Sequence, residues 1–162
     1  MYTVYFDRRN NKLSVKADDG RFVFEKIHAL CGQAQHQNLS WVTGKSPIPY
    51  SSEVEGGKYY LHLKYMNRNG GELISREPGG IGWFIPISNS KHNPWIITGV
   101  VSGQKRTYIG LHPENAFKGS AGCPVVQWGT ISEQAECRAL FHFLAELKRL
   151  GVEVLKFKVV GD

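Results

Sequence analysis

The chain has 162 residues, of which 41% are hydrophobic, 12% aromatic and 21% charged, and it carries a formal net charge of +6. That is enough chain for one hydrophobic core but not for two that fold unaided, and the composition excludes a disordered or fibrous chain. The longest apolar runs, such as "PWIITGVV" (94–101), fall well short of the ~18 residues that span a bilayer, so no membrane span is expected, while the positive charge points to an anionic partner of some kind.

The N-terminus "MYTVYFDRRNNK" lacks the basic start, apolar middle and small-residue cleavage site of a signal peptide. Export would then need another route, or the leader is absent. "YTVYF" (2–6), "KLSVKA" (12–17) and "RFVFEKI" (21–27) are short β-branched and aromatic runs separated by "DRRNN" and "DDG", which are turn chemistry, so the chain is expected to open with a β-meander. Residues 29–52 have no clear period and hold "TGKSPIPYSS", whose prolines exclude a helix and predict an ordered loop. "KYYLHLKYM" (58–66) reads as a strand and "NRNGG" (67–71) as a turn. Three further strand-like runs follow, "GGIGWFIPI" (79–87), 94–101 and "RTYIGLH" (106–112), whose glycines suggest bulges or close backbone approach.

Residues 130–151 hold the one substantial helix expected. Thr130 and Glu133 have capping-box spacing, Lys148 and Arg149 suit the negative end of the helix dipole, and Gly151 ends it. Cys137, Leu140, Phe141, Leu144 and Leu147 fall on one face, which makes Cys137 a core residue. "VEVLKFKVV" (152–160) alternates and should return to the sheet. The fold class is therefore mainly β, a sandwich or barrel with one α-helix near the C-terminus, in a single domain spanning 1–162.

Cys31, Cys123 and Cys137 cannot all pair within the chain and lack the CxxC spacing of zinc or redox sites. His28, His36, His62 and His142 show no metal spacing either, so neither a metal nor a cofactor is expected. The segment "LHPENAFKGSAGCPVV" (111–126) carries the most chemistry. A catalytic cysteine reacts as its thiolate and needs a base and a partly open site. His112 ends a strand eleven positions before Cys123, and the intervening loop is polar and glycine-bearing. "GSAG" (119–122) frees the backbone to aim amides, so Gly122, Ala121 and Ser120 are candidates for the loop that binds a developing oxyanion. The alternative is that Cys123 is a small buried hydrophobe in a turn and His112 merely ends a strand.

The stretch as a whole resembles the L,D-transpeptidase (YkuD-like) catalytic superfamily and its divergent phage and effector-like members. In that superfamily a strand delivers a histidine and a Ser-x-Gly-Cys loop follows, matched here by "IGLHP" and "GSAGC". "GKSPIPYSSEVEGGKYYL" (44–61) is similar to its upstream segment through Pro47, Ile48, Pro49, Gly57 and Tyr59. The resemblance covers residues 44 to 127. It departs at Pro113, where glycine follows the histidine, at Ala121, where a second histidine is usual, and at Val125, where an arginine is usual.

The resemblance implies that Cys123 is the nucleophile and His112 its base, forming an acyl-enzyme with peptidoglycan stem peptides. That acyl group then passes to an amine or to water. It also implies action in the periplasm or on the cell wall, by a monomer. Arg106 and Lys118 are candidate carboxylate partners in place of the missing arginine, although the residue type alone favours a solvated surface charge for either. Tyr108, four positions before His112 on the presumed strand, would share its face, as substrate contact or packed aromatic. His92, in the turn-rich "NSKHNP", would line a cleft or sit exposed on a loop. The departures motivate a second reading, a degenerate module that binds wall material or a partner without turnover. Nucleic acid is not an expected partner, because the basic residues are spread along the chain with no RNP-like or helix-turn-helix motif.

Overall fold

A computed structural model of the protein describes residues 1–31, 47–66, 83–100, 105–114 and 122–162. Ser120, Ala121, Lys118, the turn at 67–71 and the first part of the 79–87 run lie outside the described residues.

Strands β1 (Tyr2–Asp7), β2 (Lys12–Ala17) and β3 (Phe22–Cys31) form the expected antiparallel meander. The first turn shows why. The Asp7 carboxylate accepts from the Asn10 backbone N–H at 3.1 Å, and Asn11 takes the left-handed conformation (φ 55°) that asparagine tolerates better than most residues. Alternation then sends Val4, Phe6, Leu13 and Val15 into the core.

These strands join β4 (Tyr59–Leu61), β5 (Ile85–Ser88), β8 (Gly110–Pro113), β9 (Pro124–Val126) and β10 (Leu155–Val160). The eight form a closed barrel in the order β1-β10-β4-β5-β8-β9-β3-β2. A barrel of this size is filled by its own side chains, and Phe6, Tyr59, Leu61, Ile85, Ile87, Leu111 and Phe157 are fully buried. Strands β6 (Ile96–Thr98) and β7 (Lys105–Thr107) pair separately as a two-stranded sheet. The helix α1 (Ile131–Arg149) has the expected capping box at Thr130 and Glu133 and buries Cys137, Leu140, Leu144 and Leu147. No helix among the described residues is long and apolar enough to cross a membrane.

Three sequence readings are corrected. The 106–112 run is two strands rather than one: Tyr108 still donates its N–H to the Trp95 carbonyl at 3.0 Å in the β6–β7 register, but its φ of +55° turns the chain there, so β7 ends and β8 begins in another sheet. The 58–66 run stops being a strand at Leu61, where the chain passes into a tight turn at Leu63–Tyr65. The loop expected from residue 29 starts later, because Ala29–Cys31 complete β3 by pairing with β9.

Gly110 is required by contact. A Cβ there would fall 2.5 Å from Phe84 Cε2 and 2.7 Å from the Ile85 carbonyl oxygen, and neither backbone nor packed ring can retreat. Gly110→Ala should therefore cost about 1–3 kcal/mol, the usual range for overpacking, read as a lowered urea midpoint. An unchanged midpoint would show that the ring above Gly110 is free to move.

Candidate active site

The site is built by the pairing of β8 with β9. The two run parallel, with His112 opposite Val125 and Pro113 opposite Val126. Facing residues share a face, and successive residues alternate. Leu111 and Val126 belong to the core, so His112 and Val125 take the outer face. Continuing the register back by two residues sets Cys123 beside Gly110, and the Gly110 N–H does donate to Cys123 Sγ at 3.4 Å. Cys123 and His112 thus occupy one outer face of adjacent strands, offset by about 7 Å along the strand direction.

The histidine is almost fully covered, at 7% exposure. Its Nδ1 lies 2.9 Å from the Pro113 carbonyl oxygen. Because a carbonyl only accepts, Nδ1 carries the proton and Nε2 keeps a free lone pair. The ring stacks on Phe84, with centroids 6.0 Å apart and planes 22° apart, which holds its orientation. Burial lowers its pKa to about 4, only partly offset by the bond to Pro113. His112 is thus a buried, neutral imidazole of fixed tautomer.

Cys123 is half-buried and packs against the core. Burial pushes its thiol up to about 11, against the opposing pull of the Gly110 N–H and of the Arg106 guanidinium. Its hydrogen bonds include one from the Gly110 N–H and one, at 3.9 Å, to the Tyr108 carbonyl. The resting state is therefore thiol and neutral imidazole rather than thiolate and imidazolium.

Cys31 anchors the loop end. Its thiol donates to the Gly122 carbonyl at 3.1 Å and accepts from the Ile48 N–H at 3.0 Å. Burial raises it to about 12, so it is a structural clamp and a poor nucleophile. Cys137 in α1 is likewise raised to about 12 by burial. Gly122 itself has φ 114°, a conformation that suits glycine and turns the chain into Cys123.

The remaining candidates divide. Arg106 is corrected from a surface charge to a buried one, 7% exposed, with Nη1 donating to the Pro47 carbonyl at 3.0 Å. Burial pulls its pKa down, opposed by Cys31, Cys123 and Tyr59, so its charge lies within electrostatic reach of Cys123. Tyr108 is corrected too: it stands at the break between β7 and β8, 66% exposed, and does not share a strand face with His112. His92 is exposed, yet lines a cavity of about 290 Å³ with His62, Lys64, Tyr65, Lys91 and Glu153. The sequence reading missed Phe84 and the Pro113 carbonyl. Gly110 was signalled only as a glycine inside a strand run. Among the described residues no group of three or more His, Cys, Asp or Glu is arranged to hold a metal.

No protein-family model matches the chain, and no curated protein or solved structure is significantly similar to it.

His62 is buried like His112, its Nε2 lies 2.8 Å from Ser88 Oγ, and burial lowers its pKa to about 4. In the unfolded chain both histidines protonate near 6.5, so unfolding between about pH 4 and 6.5 takes up protons. The stability they contribute is fully present above pH 6.5 and is lost as the pH falls toward 4, by up to about 1.4 kcal/mol per pH unit for each histidine. Urea midpoints measured from pH 7 to 4.5 should fall accordingly, and His62→Gln should flatten the slope. A midpoint constant over that range would contradict the buried neutral state of both rings.

Proposed function

We propose that the protein is a cysteine-dependent acyl transferase or peptidase acting on peptidoglycan stem peptides, with Cys123 as nucleophile and His112 as general base. The observation that carries this reading is the placing of both side chains on one outer face of adjacent strands, with His112 Nδ1–H tied to the Pro113 carbonyl so that Nε2 is the basic atom. The Gly110 N–H at Sγ and the nearby Arg106 charge support negative charge as it forms on sulfur.

In the proposed reaction, Nε2 takes the thiol proton as Sγ attacks the carbonyl carbon of the peptide. The carbonyl oxygen becomes an oxyanion, for which the amides at Gly122 and Cys123 are candidate donors. Collapse expels the amine, which receives the proton from the imidazolium, and leaves a thioester on Cys123. An acceptor amine, or water, gives up a proton to Nε2, attacks the thioester, and releases the thiol. Since both groups rest neutral, proton transfer and attack must proceed together, with substrate bound and water displaced. The resemblance to the L,D-transpeptidase superfamily supplies the substrate class, and with it action on the wall or in the periplasm.

A second reading is a binding module without turnover. It is favoured by the thiol's raised pKa and by the changes at Pro113, Ala121 and Val125.

Intact-mass measurement after incubation with disaccharide-tetrapeptide or a carbapenem separates the two. The first reading expects a single adduct mapped to Cys123, which His112→Ala slows by about 100- to 10,000-fold, while His142→Ala on the exposed face of α1 leaves it unchanged. Absence of any adduct, or an adduct on Cys31, would sink it. The resting thiol sets a further expectation: iodoacetamide labelling of Cys123 without substrate should rise with pH from 7 toward 10. A rate already level below pH 8 would mean a preformed ion pair, contrary to the buried neutral thiol.

A further inference from the structure

The cavity beside His62 lies on the same barrel face as Cys123. The His62 N–H donates to the Pro86 carbonyl at 2.9 Å, Pro86 pairs with Gly110, and Gly110 stands beside Cys123. His62, Pro86, Gly110 and Cys123 therefore form one row from the residue after β4, across β5 and β8, to the residue before β9. Tyr59, Leu61, Ile85, Ile87 and Leu111 take the core, so the row has the outer face. Three strand spacings of roughly 4.8 Å put its ends about 14 Å apart, the length of about four extended peptide residues.

An aromatic series spans the same interval. Tyr65, which lines the cavity, has its ring centroid 5.9 Å from that of Trp95, and Trp95 lies 5.3 Å from Tyr108, whose carbonyl accepts from Cys123 Sγ. Tyr108 is held at φ +55° with its ring two-thirds exposed, a conformation that strains a non-glycine residue and that recurs at ligand-binding sites.

The charge of the cavity selects the ligand. Glu153 sits 3.5 Å from Lys64, His62 is neutral, and Lys91 has no ion-pair partner among the described residues. Among the described residues one positive charge is left over. The volume of about 290 Å³ is close to the lower end for small-ligand sites.

We infer that this cavity is a remote subsite of the Cys123 cleft that binds a carboxylate, through Lys91, on a peptide whose reacting carbonyl lies about four residues away along the Tyr65, Trp95 and Tyr108 series. The inference rests on the acyl-transfer reading of Cys123 and extends it to the recognition of substrate.

The test uses the full chain carrying Cys123→Ala, so that binding is read without chemistry. The probes are a muramyl pentapeptide with free carboxylates and its fully amidated counterpart, with affinities measured by titration calorimetry. The free acid should bind at least about tenfold more tightly. Lys91→Ala should abolish that preference and Lys91→Arg should keep it, while Lys12→Ala, an exposed charge on β2, should leave it intact. Equal binding of acid and amide, no binding of either at millimolar concentration, a preference that survives Lys91→Ala, or an equal loss in Lys12→Ala would each overturn the subsite. With Cys123 restored, Lys91→Ala should raise KM for acylation and leave kcat unchanged. Binding that depends on Lys91 without any adduct would overturn the acyl-transfer reading alone, whereas acylation with the same KM for acid and amide would overturn the subsite alone.

Discussion

Parallel neighbours cannot be joined by a tight hairpin; the chain must return to the end from which it started before the second strand can begin. Ten residues, 114–123, stand between Pro113 and Pro124, and the strands they join are parallel neighbours. This one pairing decides which side chains meet. With β8 and β9 parallel and His112 opposite Val125, the residue that enters β9 arrives beside Gly110, on the face that carries His112. A register slip of one residue would turn Cys123 toward the core and leave the imidazole opposite Pro124 or Val126 in place of Val125. The register is held from both sides, because β9 also pairs with β3 and Cys31 ties its thiol to the Gly122 carbonyl.

The electrostatics follow from the burial that this packing imposes. A hidden imidazole and a hidden thiol both favour their neutral forms, which moves their pKa values apart, to about 4 and about 11. Such a pair does not hold a standing thiolate. For the proposed acyl transfer, what the protein would supply is preorganisation: a tautomer chosen by the Pro113 carbonyl, a ring plane fixed by Phe84, and an N–H and a buried arginine disposed toward the sulfur. These groups gain most when charge develops between sulfur and nitrogen in a site from which water has been excluded.

Much of the fold was legible because it rests on local pattern. The alternating runs at 2–6, 12–17 and 152–160 became β1, β2 and β10, and the capping box at Thr130 and Glu133 marked the start of α1. Long-range register is not a local signal, so barrel closure and the parallel β8–β9 pairing could not be read from periodicity. For the site, the roles of Cys123 and His112 were suggested by residue type and spacing, and the structure adds which faces they occupy. Arg106 was misjudged because arginine is seldom buried, and only the folded chain brings the Pro47 carbonyl to its guanidinium. Ser120, Ala121 and Lys118 fall outside the described residues.

The error at Tyr108 bears most directly on the site. "RTYIGLH" has the composition of one continuous strand, and by propensity alone Tyr108 belongs in its middle. Had the extended backbone continued through Tyr108, the tyrosine ring would follow the alternation of β8. The break instead frees β7 to pair with β6 and lets β8 enter the barrel beside β5. Its residue of strain is a tyrosine turned outward at the carbonyl that faces the thiol. Local preference is overridden here because two sheets make incompatible demands on one short segment, and the residue at the junction, its N–H still bonded to the Trp95 carbonyl, is left exposed next to Cys123.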